Sequence, residues 1–274
     1  MATSTSAARP RRTAAVAAES DSPLFMGSLA KCFQVLEALN TAGRAVGLTE
    51  LAQLSGLDRS GVQRITHTLR VLGYLRQDPA TKAFRLSGRM LEFGHTVLAT
   101  DQLRERAQPH LEALNRRTSE TVNLMELEGD EIVYVARWPS LHAVSVDLHV
   151  GSRLPAWCTA AGRAIFSLLD PADAQARLKA VRRSAMTPFT VTDLAGLRAA
   201  LDQARELGYA LNNQEAFVGD LSVAAPLVDR QGHPLGAVNI AVPTPRWRLE
   251  DVLARLVPQL LKTAAAINRE VRYL

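Results

Sequence analysis

From residue 28 onward the apolar positions fall at helical spacing. Leu29, Phe33, Leu36 and Leu39 recur at intervals of four, three and three, which is one face of a helix, and Ser28 stands where an N-cap belongs. A loop with two glycines, Asn40 to Gly47, follows. Thr49 is then expected to cap a short helix carrying Leu51, Ala52 and Leu54, with Glu50 in the first turn, where the helix dipole favours an anion. Gly56 ends it. Asp58 caps a third helix with Val62, Ile65, Leu69 and Leu72 on one side, and Gly73 stops it. Two extended runs, Tyr74–Gln77 and Ala83–Leu86, flank the turn Asp78-Pro79-Ala80-Thr81, with Lys82 beside it.

A broad apolar stripe (Met90, Leu91, Phe93, Val97, Leu98, Leu103, Ala107, Leu111 and Leu114) predicts a helical connector over 88–118, broken or kinked at Pro109. At Thr121 the period changes to two. Val122, Leu124 and Glu126 alternate with Asn123, Met125 and Leu127, and the loop Glu128-Gly129-Asp130 leads into Ile132–Arg137 as a hairpin; Ala143–Leu148 alternates again. Helices are expected over Gly162–Leu169, Ala172–Val181 and Leu194–Leu207, the last ended by Gly208. Leu221–Asp229 and Leu235–Val242 form a second hairpin, and Leu249–Tyr273 reads as an amphipathic helix. The pattern predicts an α+β protein in four parts. These are a disordered arm (1–26), a three-helix-and-hairpin domain (27–88), linker helices (89–118) and a sheet-containing domain (119–274).

Composition adds little until it is divided. The 274 residues carry 32 Lys+Arg against 27 Asp+Glu, and 47% hydrophobic residues, ordinary values for a soluble globular protein. Two distant cysteines, Cys32 and Cys158, fit a reducing compartment rather than a disulfide scaffold. No run of residues approaches a membrane span. Residues 1–90, however, hold 12 Lys+Arg and 6 Asp+Glu, and residues 91–274 hold 20 and 21. All the excess positive charge therefore lies in the first third, which suggests an anionic partner there: nucleic acid or a membrane surface. Arg9, Arg11 and Arg12 add to it in the arm, which lacks the apolar run of a signal peptide and reads as a transit peptide or as a loose basic arm beside a DNA-binding domain.

A short helix, a glycine turn and a longer helix make a helix-turn-helix. The second helix places Arg59, Ser60, Gln63, Arg64 and His67 in its N-terminal half, away from its apolar side. Arg can pair with guanine, Gln with adenine, and Ser with phosphate or base edges. With Thr49 on the preceding helix, and Lys82 and Arg85 on a hairpin placed to meet phosphates, these eight residues are the candidate contacts to double-stranded DNA.

The second half shows no HExxH, GxSxG, GxGxxG or P-loop, so no catalytic residue, metal ligand or cofactor is assigned. The six histidines (67, 95, 110, 142, 149 and 233) lack metal-ligand spacing. Cys158 has no base in the sequence and reads as an inert thiol. Thr159-Ala160-Ala161-Gly162 sits where a loop enters a helix, and small residues there admit either a ligand or close packing against a sheet. Trp157 reads as a ring-stacking residue or as core. Arg137 reads as a carboxylate partner or as a surface ion pair.

Ser28–Leu86, with LTELAQLSGLDRSGVQRITHTLRVLGYLRQD, resembles the winged helix-turn-helix of the IclR family of bacterial transcription regulators. Gly151-Ser152-Arg153-Leu154-Pro155 followed by Cys158-Thr159-Ala160-Ala161-Gly162-Arg163-Ala164 is similar to that family's effector-domain signature. So are Leu207-Gly208-Tyr209, then Glu215, then Val223-Ala224-Ala225-Pro226. The resemblance covers residues 24–274 in the family's order. It implies a GAF/PAS-like effector domain with an antiparallel sheet, and ligand-facing positions at Ala160, Ala161, Asn212, Ser222, Asn239 and Ala241. It also implies a homodimer or homotetramer, a cytoplasmic, nucleoid-associated protein, and no enzymatic activity. Gly129–Arg137 and Val150–Pro155 look like members that govern aromatic-acid catabolism. A small carboxylate or aromatic acid is thus the expected effector. Family members often carry an acid near Asn212 and cysteine at Ser222, and this chain departs from both. A metabolite sensor or enzyme that uses its helical domain for protein contacts is the alternative.

Overall fold

A computed structural model describes residues 21–142 and 146–274. Positions 1–20 of the expected basic arm, Arg9, Arg11 and Arg12 included, and positions 143–145 of the expected strand Ala143–Leu148, lie outside the described residues. The chain divides into two compact units between Val97 and Leu98.

The first unit is built from α1 (Gly27–Ala42), α2 (Leu48–Ser55), α3 (Arg59–Val71), β1 (Leu75–Gln77) and β2 (Phe84–Leu86). Val35, Leu39, Val46, Leu51, Val62, Leu69, Leu75 and Phe84 form its core. Helix α1 keeps half of the expected face, with Leu39 buried and Leu36 packed against the core. Val35, Ala38 and Leu39 are buried, whereas Leu29 and Phe33 are 52% and 60% exposed. The helix carries two apolar stripes, and periodicity alone cannot choose which one turns inward. Its N-cap is Met26, so Ser28 lies inside the helix. Leu54 and Leu72, expected inside, are also exposed. Gly56 ends α2 at φ 70°, a left-handed conformation open to glycine at no steric cost. Two residues later Asp58 caps α3, accepting from the Gly61 N–H at 2.7 Å.

Helix α4 (Met90–Thr100) buries no residue, and Leu91 and Phe93 on it are exposed. The connector is two helices, and the break is at Asp101 rather than Pro109. The Asp101 carboxylate accepts from the Arg104 N–H at 2.9 Å and caps α5 (Gln102–Thr118), which runs through Pro109. Leu103, Ala107, Leu111 and Leu114 of α5 are buried.

The second unit is centred on a six-stranded antiparallel sheet in the order β5-β4-β3-β8-β7-β6. Its strands are β3 (Thr121–Glu128), β4 (Glu131–Trp138), β5 (Arg153–Pro155), β6 (Ala210–Asn213), β7 (Asp220–Val228) and β8 (Pro234–Pro243). A 3-10 turn over Ala156–Cys158 leads into α6 (Ala160–Phe166); α7 (Pro171–Ala180) and α8 (Leu194–Leu207) follow. The terminal helix is α9 (Leu249–Asp251), a π-helical turn (Val252–Leu256) and α10 (Val257–Glu270).

Each sheet face has its own core. Val122, Leu124, Val223, Val238 and Ile240 pack against α5 and α10, and Met125, Ile132 and Ala224 pack against α6 and α8. A bulge at Leu124/Met125 changes the parity of β4. Val135 and Ala136 therefore share the α5 side, while Tyr134 and Arg137 both reach the α6 side. Among the described residues no helix is long and apolar enough to cross a membrane, and no three His, Cys, Asp or Glu side chains are grouped to hold a metal ion.

Candidate functional site

In the first unit, α3 and the β1–β2 hairpin enclose an open groove of about 860 Å³. Arg59, Ser60, Gln63, Arg64 and His67 line it with Lys82, and all six are exposed. The Asp58 cap orders the N-terminal turn. It accepts from Ser60 Oγ at 2.7 Å as well as from Gly61, and these two bonds hold its carboxyl below the usual carboxylate range. Asp58 is therefore charged at neutral pH, and Ser60 is oriented by it. The side chains of Gln63, Arg64 and His67 make no hydrogen bond among the described residues, so their donors and acceptors stay open to a partner.

Lys82 takes a left-handed backbone (φ 58°) at the hairpin tip, where Asp78 accepts from the N–H groups of Ala80 and Thr81. Arg85 does not share the groove. It stands opposite Arg76 in the β1–β2 register and lines a second cleft with Arg76, Arg70 and Asp78. Directly opposed like charges destabilise a hairpin unless an anion intervenes. Thr49 does not cap its helix: the cap position is Gly47, and Thr49 sits exposed in the first turn, outside the groove lining.

In the second unit a cavity of about 240 Å³ lies on the α6 side of the sheet. It is lined by all six expected positions: Ala160, Ala161, Asn212, Ser222, Asn239 and Ala241. Strand register explains their convergence. Thr121, Ala241, Ser222 and Asn212 are neighbours across β3, β8, β7 and β6, and Arg137, Asn123 and Asn239 form the adjacent row.

The polar groups divide into engaged and open ones. Asn212 Nδ2 donates to the Cys158 carbonyl at 2.5 Å and its Oδ1 accepts from the Glu215 N–H at 3.1 Å, so the amide braces the loop at the cavity edge. Asn123 Nδ2 donates to Asn239 Oδ1 at 2.7 Å. Arg137 donates to Asn123 Oδ1 at 2.9 Å and to the Val146 carbonyl at 3.0 Å, and forms no ion pair among the described residues. Ser222 Oγ, the Tyr134 hydroxyl and the Asp220 carboxyl make no hydrogen bond there. Burial pushes Asp220 up to about 7 against the opposing pull of Arg137, and burial likewise raises the Tyr134 phenol.

Sequence reasoning missed Tyr134 and Asp220 as lining residues. The first depends on the β4 bulge, which strict alternation hides; the second belongs to the same β7 row parity as Ser222. It also missed the ion pair under the cavity. Arg163 meets Glu215 through two bonds of 2.6 Å, both side chains being almost wholly buried. Arg163 Nε donates to the Trp157 carbonyl at 3.0 Å. Trp157 itself is core and does not line the cavity. Cys158 is buried, and desolvation pushes its thiol up to about 12, so it stays protonated.

Two family models match the chain: the IclR helix-turn-helix domain over residues 28–79, and "Bacterial transcriptional regulator IclR C-terminal" over residues 95–269. The chain is 34% identical over 240 residues to the Pca regulon regulatory protein of Pseudomonas putida, covering 87% of this chain and 82% of the relative. It is 30% identical over 252 residues to the p-hydroxybenzoate hydroxylase transcriptional activator of Acinetobacter baylyi, covering 90% and 92%. Among solved structures it is similar to the Thermotoga maritima IclR, with TM-score 0.73, 26% identity and coverage of 90% and 100%. It is also similar to an IclR homolog from Microbacterium hydrocarbonoxydans complexed with 4-hydroxybenzoate, with TM-score 0.76, 25% identity and the same coverage.

Proposed function

The chain belongs to the IclR family of bacterial transcriptional regulators, and from that premise we propose that its cavity takes an aromatic acid whose binding controls how the α3 groove engages operator DNA. It is a ligand-responsive DNA-binding regulator of catabolic genes, not an enzyme, and the reading as a metabolite sensor without DNA falls away.

The observation that carries the effector class is the cavity's mixture of groups. It combines one cation with spare donors, Arg137, with small walls at Ala160, Ala161 and Ala241 and open hydroxyls at Ser222 and Tyr134. An apolar cavity of roughly 150 Å³ holds benzene. About 240 Å³ accommodates a ring bearing a carboxylate and one further polar substituent. Arg137 is the group that pairs with the carboxylate. Helix α6 has only seven residues, so its dipole plays a minor part beside Arg137. That relatives carry names tied to the Pca regulon and to p-hydroxybenzoate, and that one homolog binds 4-hydroxybenzoate, supports the same class.

Arg59, Ser60, Gln63, Arg64 and His67 read the major groove, and Thr49, Lys82 and Arg85 contact phosphates. DNA with two half-sites requires a dimer, and exposed apolar side chains on α1 and α4 (Leu29, Phe33, Leu91) support self-association into dimers or tetramers. The segment α4–α5 joins the two units along the chain and is the route by which ligand occupancy biases groove spacing.

The test is specific binding to DNA upstream of the protein's own gene by fluorescence anisotropy, with and without benzoate and its hydroxy derivatives. The Gln63→Ala/Arg64→Ala variant is expected to lose specific affinity by tenfold or more, since each good side-chain–base pair contributes about 1–3 kcal/mol. Equal specificity in variant and wild type would overturn the groove assignment. An operator affinity indifferent to every acid would overturn the effector class.

A further inference from the structure

This inference rests on the reading of the cavity as an aromatic-acid site. Three of its lining residues bear charged side chains: Glu120, Arg137 and Asp220. Glu120 is already satisfied, accepting from Arg246 at 2.5 Å and from Trp247 Nε1 at 2.9 Å. Arg137 is the partner for a ligand carboxylate. Asp220 then has no assigned role, yet it opens β7 on the cavity side, two residues before Ser222, and its carboxyl has no hydrogen-bond partner among the described residues. Tyr134 lines the same cavity through the β4 bulge; the charge of Asp220 raises its phenol, and the charge of Arg137 acts on both groups in the opposite sense.

A carboxyl and a phenol that no protein group pairs lose their hydrogen bonds to solvent when a ligand covers them without offering a partner. A plain ring-bearing acid does so. A hydroxylated one donates to Asp220 and accepts from Tyr134 with a single substituent. We propose that Asp220, with Tyr134 beside it, is the specificity-determining group of the effector cavity and demands a hydroxyl on the acid it binds. Sites built to hydrogen-bond a ligand hydroxyl reject the analogue that lacks it far more strongly than apolar pockets reject one extra group. The carboxyl group is largely neutral below its raised titration point of about 7, and so tolerates an anionic ligand nearby. The charged and titratable groups around it are Arg137 and Tyr134 on β4 and the satisfied Glu120 at the start of β3.

The experiment is calorimetric titration of the full chain with benzoate and with 2-, 3- and 4-hydroxybenzoate. At least one hydroxybenzoate is expected to bind about tenfold or more tightly than benzoate. In Asp220→Ala that preference falls to within about twofold while benzoate still binds. Tyr134→Phe reduces it in part, and Asp220→Asn, which keeps an acceptor, retains most of it, so a general folding defect would not reproduce the series. Benzoate binding as tightly as every isomer, or a preference that survives Asp220→Ala, overturns this inference alone. Binding of none of the four acids overturns the aromatic-acid reading and this inference with it.

Discussion

At the scale of single residues, two acids shielded from solvent to different degrees meet opposite fates. Glu215 is matched on all sides: the Arg163 fork at 2.6 Å twice, and the Val191 N–H at 3.0 Å. Breaking such a pair leaves a buried charge uncompensated and costs about 3–5 kcal/mol, whereas replacing both partners by apolar groups costs far less. Glu215→Gln is therefore expected to lower the urea midpoint sharply, and Arg163→Met/Glu215→Leu to lower it less; a double variant weaker than the single one would contradict this. Asp220 is the unmatched acid. Its native carboxyl holds its proton up to about 7, while the unfolded chain releases it near the ordinary value of 3.8. The native state thus binds more protons between those values, and stability falls as pH rises through that window, the cost being complete above about 7. Asp220→Asn removes the cost. Its melting temperature relative to wild type is expected to rise from pH 5 to pH 8, and a gap that stays constant with pH would refute the assignment. Glu126, also pushed up to about 7 by burial and by the neighbouring Asp101, is common to both proteins and cancels in the difference.

At the scale of elements, the sequence was most legible where a residue's own backbone chemistry dictates the structure. Asp58, Gly56 and Gly208 cap helices as read, and α8 spans Leu194–Leu207 without adjustment. It was least legible where a choice between faces is made by the partner. Helices α1 and α4 have apolar stripes that this chain alone does not bury, and no periodicity tells a core stripe from one reserved for another surface. The β4 bulge and the short strands β5 and β6 lack the alternation that announces a strand. The six cavity positions came from motif resemblance; Tyr134 and Asp220 required the register. Gly162 shows why its motif is so restricted: a Cβ there would overlap the Ala156 backbone, so α6 can approach the 3-10 turn only with glycine. The hairpin carries its own prediction. With Arg76 opposite Arg85, the pair is tolerated best when phosphate lies between them. Arg85→Ala is expected to weaken binding similarly for operator and unrelated DNA and to reduce the slope of log affinity against log salt by about 1, as loss of one phosphate contact does. A loss confined to the operator would mean that Arg85 reads bases instead.

At the scale of the whole molecule, the division of charge corresponds to a division of labour. The excess of positive residues lies before position 91, in the part that carries the groove and the basic cleft, while the cavity lies wholly in the second unit. A ligand in one unit can alter DNA binding by the other only if it binds two arrangements of the protein unequally. That requirement has a consequence independent of structural detail. If an effector changes operator affinity by some factor, saturating operator must change effector affinity by the same factor, because coupling free energy is reciprocal. Couplings of this kind typically amount to 5–150-fold, or about 1–3 kcal/mol. Titrating the full chain with its tightest-binding hydroxybenzoate, alone and in complex with operator DNA, is expected to give affinities whose ratio equals the ratio of operator affinities with and without that acid. Unrelated DNA of equal length should leave the acid's affinity nearly unchanged, since phosphate contacts alone do not specify the register of the two half-sites. Acid binding that is abolished by saturating operator, rather than changed by a finite factor, would place that acid outside the cavity and in direct competition at the DNA-binding unit.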